Sequence, residues 1–223
     1  TNEHLADWAC AERGRFALID ALRGSSGLYD WLRLKAALSV DLLREWRAAL
    51  TAYGGEGKKL SANAFMPPYT LFTGFDFAGA ARYCDAASPK LYTMHWSAMV
   101  EFWGRVLIER NEGLDEKLVA RALAQLFDLG DDIDAEGLDD YGYPGPDEAH
   151  PVPDGCQLRK IGQVRAVAGE GMAVTPLVHG YGPLDDFMRR FKLVAGSGAD
   201  GVWINRYGYL GADKIEGIGG VWK

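Results

Sequence analysis

The stretch "GADGVWINRYGYLG", residues 198–211, carries the signals that decide the fold class. Its small residues at the start indicate a turn, and the apolar run 202–204 is typical of a buried strand. The run ends in Asn205, Arg206 and Tyr207, which are all hydrogen-bonding side chains. We expect a functional site where such a strand ends, because parallel strands that alternate with helices carry their chemistry at their carboxyl ends.

Three further apolar runs predict strands over 60–68, 90–96 and 172–182, in addition to 201–207. Apolar periodicity predicts helices between and before them, over 4–23, 28–52, 76–87, 97–110, 115–129, 156–169 and 183–197. Continuous apolar strands alternating with helices favour a parallel sheet that is covered on both faces. The sequence therefore predicts an α/β fold of the (β/α)8 TIM-barrel type as a single domain over 1–223, with an open doubly wound sheet as the alternative.

Composition excludes several classes of protein. The 223 residues are 48% hydrophobic with a net charge of −7, and the basic residues form no cluster, which argues against a nucleic-acid partner. No apolar run is long enough for a membrane span, and the N-terminal residues lack a signal-peptide pattern. Cys10, Cys84 and Cys156 are too far apart for a disulfide scaffold or a zinc cluster, and together these features favour a cytoplasmic protein.

Four segments carry a resemblance to a known group of proteins. They are "LYDWLRLKAALSVDLLREWRAAL" (28–50), "KLSANAFMPP" (59–68), "GFDFAGAARYCDAASPKLYTMHW" (74–96) and "GADGVWINRYGYLG" (198–211). The region 28–211 resembles the C-terminal half of uncharacterised bacterial TIM-barrel proteins described as glycoside hydrolase-like. The resemblance implies that the four strands are the fifth to eighth of a barrel and that the ligand is a carbohydrate. It also implies either that the chain is one piece of a processed or split protein, or that a complementary chain or a second copy completes the barrel.

The predicted strand ends bring a set of polar and aromatic side chains to one rim. Tyr and Trp rings stack on the apolar faces of sugars, and Asn, Arg and His bond to sugar hydroxyls. A structural role for each histidine, a core position for Trp96 and for Trp203, and a carboxylate-anchoring role for Arg206 are the alternatives. The predicted carbohydrate-binding residues are Asn63, Tyr92, His95, Trp96, His179, Tyr181, Asn205, Arg206 and Tyr207.

Carboxylates are absent from the four predicted strand ends. Glycoside hydrolysis normally requires two of them, so we expect the acids of a hydrolase to come mostly from outside these strands. Glu101, on the helix after "MHWSAMV", is the weak candidate for a catalytic residue within the chain. We expect no cofactor.

The acidic stretch 130–155 predicts a solvated, mobile lid. Asp132, Asp134 and Glu136 imitate the start of a calcium loop, but Tyr143 occupies the twelfth position, which excludes an EF-hand and leaves a looser calcium site as an alternative. Two other functions remain open: a non-catalytic carbohydrate-binding or structural TIM-barrel module, and a metal-dependent TIM-barrel hydrolase. In the latter, His95 and His179 would bind the metal without a carboxylate partner.

Overall fold

The computed structural model of the protein describes residues 1–129 and 135–222. Its strands are β1 (Ser61–Phe65), β2 (Ala86–Leu91), β3 (Ala173–Val174), β4 (Leu177–His179) and β5 (Trp203–Asn205). Its α-helices are α1 (Asn2–Trp8), α2 (Gly14–Gly24), α3 (Ser26–Ala52), α4 (Tyr69–Thr73), α5 (Phe77–Ala80), α6 (Thr93–Arg110), α7 (Glu116–Leu126), α8 (Asp154–Ala168), α9 (Leu184–Ala195) and α10 (Ala212–Val221). Two 3-10 turns lie at Leu138–Tyr141 and Tyr207–Tyr209.

All strand pairs are parallel, and neighbours in the sheet follow the order of the chain. β3 and β4 both pair with β2 and form one strand line interrupted near Pro176, which has no N–H for the ladder. The prediction of an α/β protein with a parallel sheet is confirmed.

The predicted strand over 90–96 is wrong in its position. β2 ends at Leu91, and α6 begins at Thr93, with the backbone carbonyl of Tyr92 accepting from His95 N at 2.8 Å. The apolar residues that follow Tyr92 therefore belong to the first turn of a helix. The predicted helix 4–23 is also divided, into α1 and α2, and the predicted helix 76–87 shortens to α5 because β2 begins at Ala86.

The sheet has one covered face, which we call the helix face. Ala62, Ala87, Leu91 and Val178 point to it and are buried in one core with side chains of α8 and α9. Leu91 is in register with Val178 across β2 and β4. Because each of these side chains is at least 94% buried, the helix face carries most of the apolar burial of the sheet.

The opposite face, which we call the open face, is partly exposed among the described residues. One row across it consists of Phe65, Lys90, Leu177 and Trp203, which are in register from β1 to β5. Phe65 is 40% and Trp203 57% exposed. The prediction of strands buried on both faces is therefore wrong for this row, as is the core position considered for Trp203, whereas Ser88 and His179 on the same face are buried.

A chain of hydroxyl groups lies one row below on the open face. Ser61 Oγ is 3.4 Å from Ser88 Oγ, which is 2.9 Å from Thr175 Oγ1. These contacts tie β1, β2 and the end of β3 together, and they give the buried Ser88 hydroxyl its partners.

The described residues between β2 and α8 form helices and turns and add no strand to the sheet. α6 packs against α7 and against the turn Leu138–Tyr141, and α7 packs against α1. Leu138, Tyr141 and Val152 are buried, so the described part of 130–155 is a packed segment and the predicted solvated lid is corrected there. Asp132 and Asp134 of the suggested calcium site lie outside the described residues.

Candidate functional site

Three predicted residues meet where the strands end. Asn205 Nδ2 donates a hydrogen bond to Tyr92 Oη, across the sheet from β5 to β2. The Tyr92 ring lies 5.0 Å from the His179 ring in an edge-on arrangement, and His179 is in register with Asn205. The parallel sheet thus brings the ends of β2, β4 and β5 into direct contact.

Five more rings extend this contact into a continuous cluster that we call the aromatic rim. Neighbouring ring centroids in it are 5.0 to 6.5 Å apart. The rim consists of Tyr92, His95, Tyr143, His150, His179, Tyr181 and Tyr209. His150 and His179 are buried and form the base of the rim, whereas Tyr143 and Tyr209 are half exposed and form its accessible surface.

His179 is neutral at neutral pH. Burial lowers its pKa to about 4, with further lowering by His95, Arg206 and Arg190. Its Nδ1 accepts a hydrogen bond from the Tyr181 backbone N–H at 3.1 Å. A neutral imidazole that accepts at Nδ1 carries its proton on Nε2, which makes His179 a hydrogen-bond donor.

His150 anchors the rim from below. It is 3% exposed, its Nδ1 lies 2.6 Å from Thr93 Oγ1, and burial is the main cause that lowers its pKa to about 3. An ideal Cβ placed on Gly182, whose φ is +96°, would stand 3.0 Å from His150 Nε2. A larger residue would therefore be excluded here by both backbone conformation and space.

Two buried cations fix the backbone that delivers the rim tyrosines. Arg190 pairs with Asp186 at 2.7 Å and donates to the carbonyls of His179 and Tyr181 at 3.1 and 2.7 Å. Lys214 Nζ donates to the carbonyls of Gly180, Gly182 and Tyr209 at 2.9, 2.6 and 3.2 Å. Charged donors bond more strongly than neutral ones, so these contacts hold the loops after β4 and β5 together.

His95 stands at the accessible edge of the rim. Its side chain is exposed at one edge, and its ring centroid lies 5.7 Å from those of Tyr92 and Tyr143. The burial of the rest of the ring, together with the charge of Lys90, lowers the pKa of His95. Tyr181 Oη donates to the Pro144 carbonyl at 3.0 Å, which fastens the segment that carries Tyr143 to the loop after β4.

Three other predicted site residues are not members of the aromatic rim, although Arg206 lies close enough for its charge to lower the pKa of His179. Asn63 is exposed on the open face of β1, two residues before the strand ends. Tyr207 is 78% exposed, and within residues 1–129 and 135–222 its ring contacts none of the rim. Arg206 is exposed and has a left-handed φ of +68°, a conformation that costs on the order of 1 kcal/mol outside glycine.

Trp96 is corrected to a core residue. It is 1% exposed, and Lys160 Nζ of α8 lies 5.2 Å from its ring centroid. That ammonium donates to the carbonyls of Pro67 and Phe127 at 2.9 and 2.8 Å, so Trp96 belongs to the contact between α6 and α8. The rotation of the first helical turn, which exposes His95, turns Trp96 inward.

Tyr143, His150 and Tyr209 belong to the rim but were not predicted from the sequence. A signal for two of them was present, because the chain contains the dipeptide Gly-Tyr at Gly142-Tyr143, Gly180-Tyr181 and Gly208-Tyr209. All three tyrosines lie in the rim. His150 had no such signal, since it follows an acidic stretch that resembles a solvated loop.

The carboxylates nearest the rim are already paired. Glu101 lies 3.5 Å from Arg105 Nε, one turn further along α6, and Asp186 is held by Arg189 and Arg190. In the described ranges, no group of three or more His, Cys, Asp or Glu side chains could hold a metal ion. No helix there is long and apolar enough to cross a membrane.

A separate groove of about 570 Å³ lies on the helix side of the sheet. Its lining is almost wholly apolar and includes Leu32, Ala36, Leu71, Phe75 and Val167. It shares no residue with the rim, and its few polar lining residues include Arg33, Asp76 and Gln163.

Comparisons of the chain with protein families, with curated proteins and with solved structures give no match.

Proposed function

We propose that the aromatic rim binds a carbohydrate at the carboxyl end of the parallel sheet. The observation that carries this proposal is that the rings of Tyr181 and Tyr209 contact the neutral His179 and that Tyr143 contacts Tyr181. The three tyrosines arrive from three separate loops, as a site assembled for a ligand requires.

The chemistry of the rim suits sugars for two reasons. Exposed tyrosine rings, such as the half-exposed Tyr143 and Tyr209, offer flat apolar surfaces to the C–H faces of a pyranose. The Nε2–H of His179, the His95 imidazole and the tyrosine hydroxyls offer donors and acceptors to sugar hydroxyls.

Hydrolysis is the second step of the proposal and depends on acids from elsewhere. Glycosidases place two carboxylates about 5 to 9 Å apart around the bond. The rim residues supply none, and Glu101, which lies near Gly142, is paired with Arg105. The described residues thus favour binding, as in a non-catalytic carbohydrate-binding module, and a hydrolase would form only when another segment adds its carboxylates.

We further propose that the sheet is half of a (β/α)8 barrel. Its order in the chain, β1-β2-β4-β5, has no reversal of the kind found in doubly wound sheets. The uncovered row on the open face corresponds to one layer of a barrel interior. A second apolar surface is also left without a partner among the described residues, as expected of an incomplete barrel. It is a stripe along α3 that consists of Trp31, Leu34, Leu38, Leu42 and Trp46.

The barrel would be completed by four further parallel strands, from a complementary chain or a second copy. A second copy related by a two-fold axis along the barrel would place β5 of each copy beside β1 of the other. Sedimentation velocity tests this: a dimer that Trp203→Glu dissociates supports the second copy, and a monomer at the highest soluble concentration excludes it.

Carbohydrate binding is tested by calorimetric titration of the chain with a panel of neutral and acidic oligosaccharides. We expect binding that weakens about tenfold in Tyr209→Ala and Tyr143→Ala, because each removes a stacking ring. Tyr53→Ala is the matched control, since Tyr53 is 90% exposed and lies in the turn after α3. The absence of binding across the panel would overturn the proposal.

A further inference from the structure

The aromatic rim is flanked by two cations that belong to no ion pair. Lys90 lies on the open face directly below Tyr92, and its Nζ is 5.0 Å from the Phe65 ring. Arg206 directly follows Asn205, and its carbonyl accepts from Tyr209 N at 3.0 Å. Among the residues that the structure describes, neither cation has a carboxylate within 4.0 Å.

These cations act on the rim itself. The charge of Lys90 is one cause that lowers the pKa of His95, and the charge of Arg206 is one that lowers the pKa of His179. The other charged groups that lower the pKa of His179 are His95 and Arg190, so the charges acting on these two histidines are all basic. The side of the rim that carries His95 and His179 is therefore positive in a chain whose net charge is −7, whereas Asp186 acts on His150 at the base.

The cations beneath the rim have their donors occupied. Arg189 and Arg190 share Asp186, Arg189 also pairs with Asp154, and Lys214 donates to three backbone carbonyls. Within the described part of the chain, Lys90 and Arg206 have no carboxylate partner and are at least partly exposed, so they provide a place for an anion. The Arg206 backbone is held in a left-handed conformation by the Asn205 side chain, whose Oδ1 accepts from Arg206 N at 2.9 Å, so the residue emerges at a fixed point of the turn.

We infer that the ligand of the aromatic rim is an acidic saccharide, whose sugar units carry a carboxylate. The inference rests on the proposed function of the rim and names its substrate class. A guanidinium binds a carboxylate through two parallel hydrogen bonds, and the rings of Tyr143 and Tyr209 contact the sugar that presents it. A uronic acid combines these two features in a single unit, with a flat pyranose and a planar carboxylate.

The test compares ligands that differ only in charge. Oligosaccharides of galacturonate, mannuronate and glucuronate are titrated into the chain, each as the free acid and as its methyl ester. We expect one acid series to bind at least about tenfold more tightly than its ester, with an affinity that falls as NaCl is added. Equal affinity of acid and ester overturns the inference and leaves the proposed function standing.

Substitutions of Arg206 and Lys90 test whether these two cations bind the carboxylate. Arg206→Gln and Lys90→Gln should each remove most of the difference between acid and ester, while the affinity for the ester stays within about twofold. Arg23→Gln is the matched control, because the Arg23 side chain is 78% exposed on α2 and pairs with Asp20. Thermal melting of each variant checks folding, and retention of the acid preference in the double variant overturns the inference.

A sulfated oligosaccharide and a neutral oligosaccharide distinguish a preference for carboxylates from a general preference for anions and from a lack of sugar binding. A sulfated oligosaccharide without carboxylates tests whether any anion suffices, and its binding in preference to every uronate overturns the assignment to a carboxylate. A failure of acidic, esterified and neutral saccharides alike overturns the proposed function itself.

Discussion

Lys90 and Leu91 are neighbours in β2, yet they belong to two different surfaces. Leu91 is 1% exposed on the helix face, beside Val178, whereas Lys90 lies in the partly exposed row of the open face. Successive side chains of a strand point to opposite faces, so one residue separates the two surfaces. The comparison indicates that the helix face holds the chain together and that the open face, with the rim above it, is available for contacts outside these residues.

The difference has a cause in the sequence. β1 reads Ser-Ala-Asn-Ala-Phe, and only its two alanines are buried. On the helix face α4 packs against β1 and α8 packs against β2 and β3, while Ser61, Asn63 and Phe65 alternate with the alanines on the open face. Parallel sheets are normally covered on both faces, so this alternation is unusual and marks the open face as a contact surface.

The largest effect should follow from a change on the helix face. Leu91→Ala leaves a cavity in a core where Leu91 is 1% exposed, and we expect it to lower the free energy of unfolding by about 2 to 5 kcal/mol. Urea unfolding monitored by circular dichroism measures this value. A loss below about 0.5 kcal/mol would show that the helix face does not carry the stability of the sheet.

The second effect concerns pH and the base of the rim. The pKa of His179 is about 4 in the folded chain and about 6.5 when unfolded, so the unfolded state takes up the proton first. Stability should therefore be full above pH 6.5 and decline as the pH falls towards 4, by at most about 3 kcal/mol from this residue. His150, with a pKa of about 3, should extend the decline below that.

His179→Gln provides the measurement for this pH dependence. Its free energy of unfolding should change less between pH 6.5 and 4 than that of the unmodified chain. His4→Gln, at an exposed position of α1, serves as the control. Identical pH profiles for His179→Gln and the unmodified chain would contradict the buried, neutral state of this imidazole.

The smallest effect is expected on the open face. Trp203→Ala removes a side chain that is 57% exposed, and in the monomeric chain we expect a change within about 0.5 kcal/mol. The same urea experiment used for Leu91→Ala gives a direct comparison of the two faces. A loss as large as that of Leu91→Ala would mean that the open face is already covered in solution.

Residues with a local signal could be predicted from the sequence. The strand that ends at prolines after Phe65 and the strand containing Trp203 are marked by apolar runs and turn residues, and the structure confirms both as strands of a parallel sheet. Tyr92, His95, His179 and Tyr181 were expected at one rim, and the structure brings these four together. Asn205 joins them through its hydrogen bond to Tyr92.

Residues whose position depends on tertiary structure were harder to predict. Trp96 and His95 are adjacent, and only the start of α6 at Thr93 decides which of them is exposed. His150 and Tyr143 lie in a stretch rich in acids, Gly and Pro, where burial is set by distant partners such as Thr93 and Tyr181. No periodicity within that stretch reports these contacts, because their partners lie in α6 and in the loop after β4, far away in the chain.

The hydroxyl chain on the open face has a consequence for the order of folding. Ser61 and Ser88 are 27 residues apart in the chain, whereas Ser88 and Thr175 are 87 residues apart. Closing the longer loop costs about 1 kcal/mol more in chain entropy than closing the shorter one. The contacts between β1 and β2 should therefore form early in folding. The pairing of β3 and β4 with β2 should be the slow step, because α6 and α7 lie between these strands in the chain.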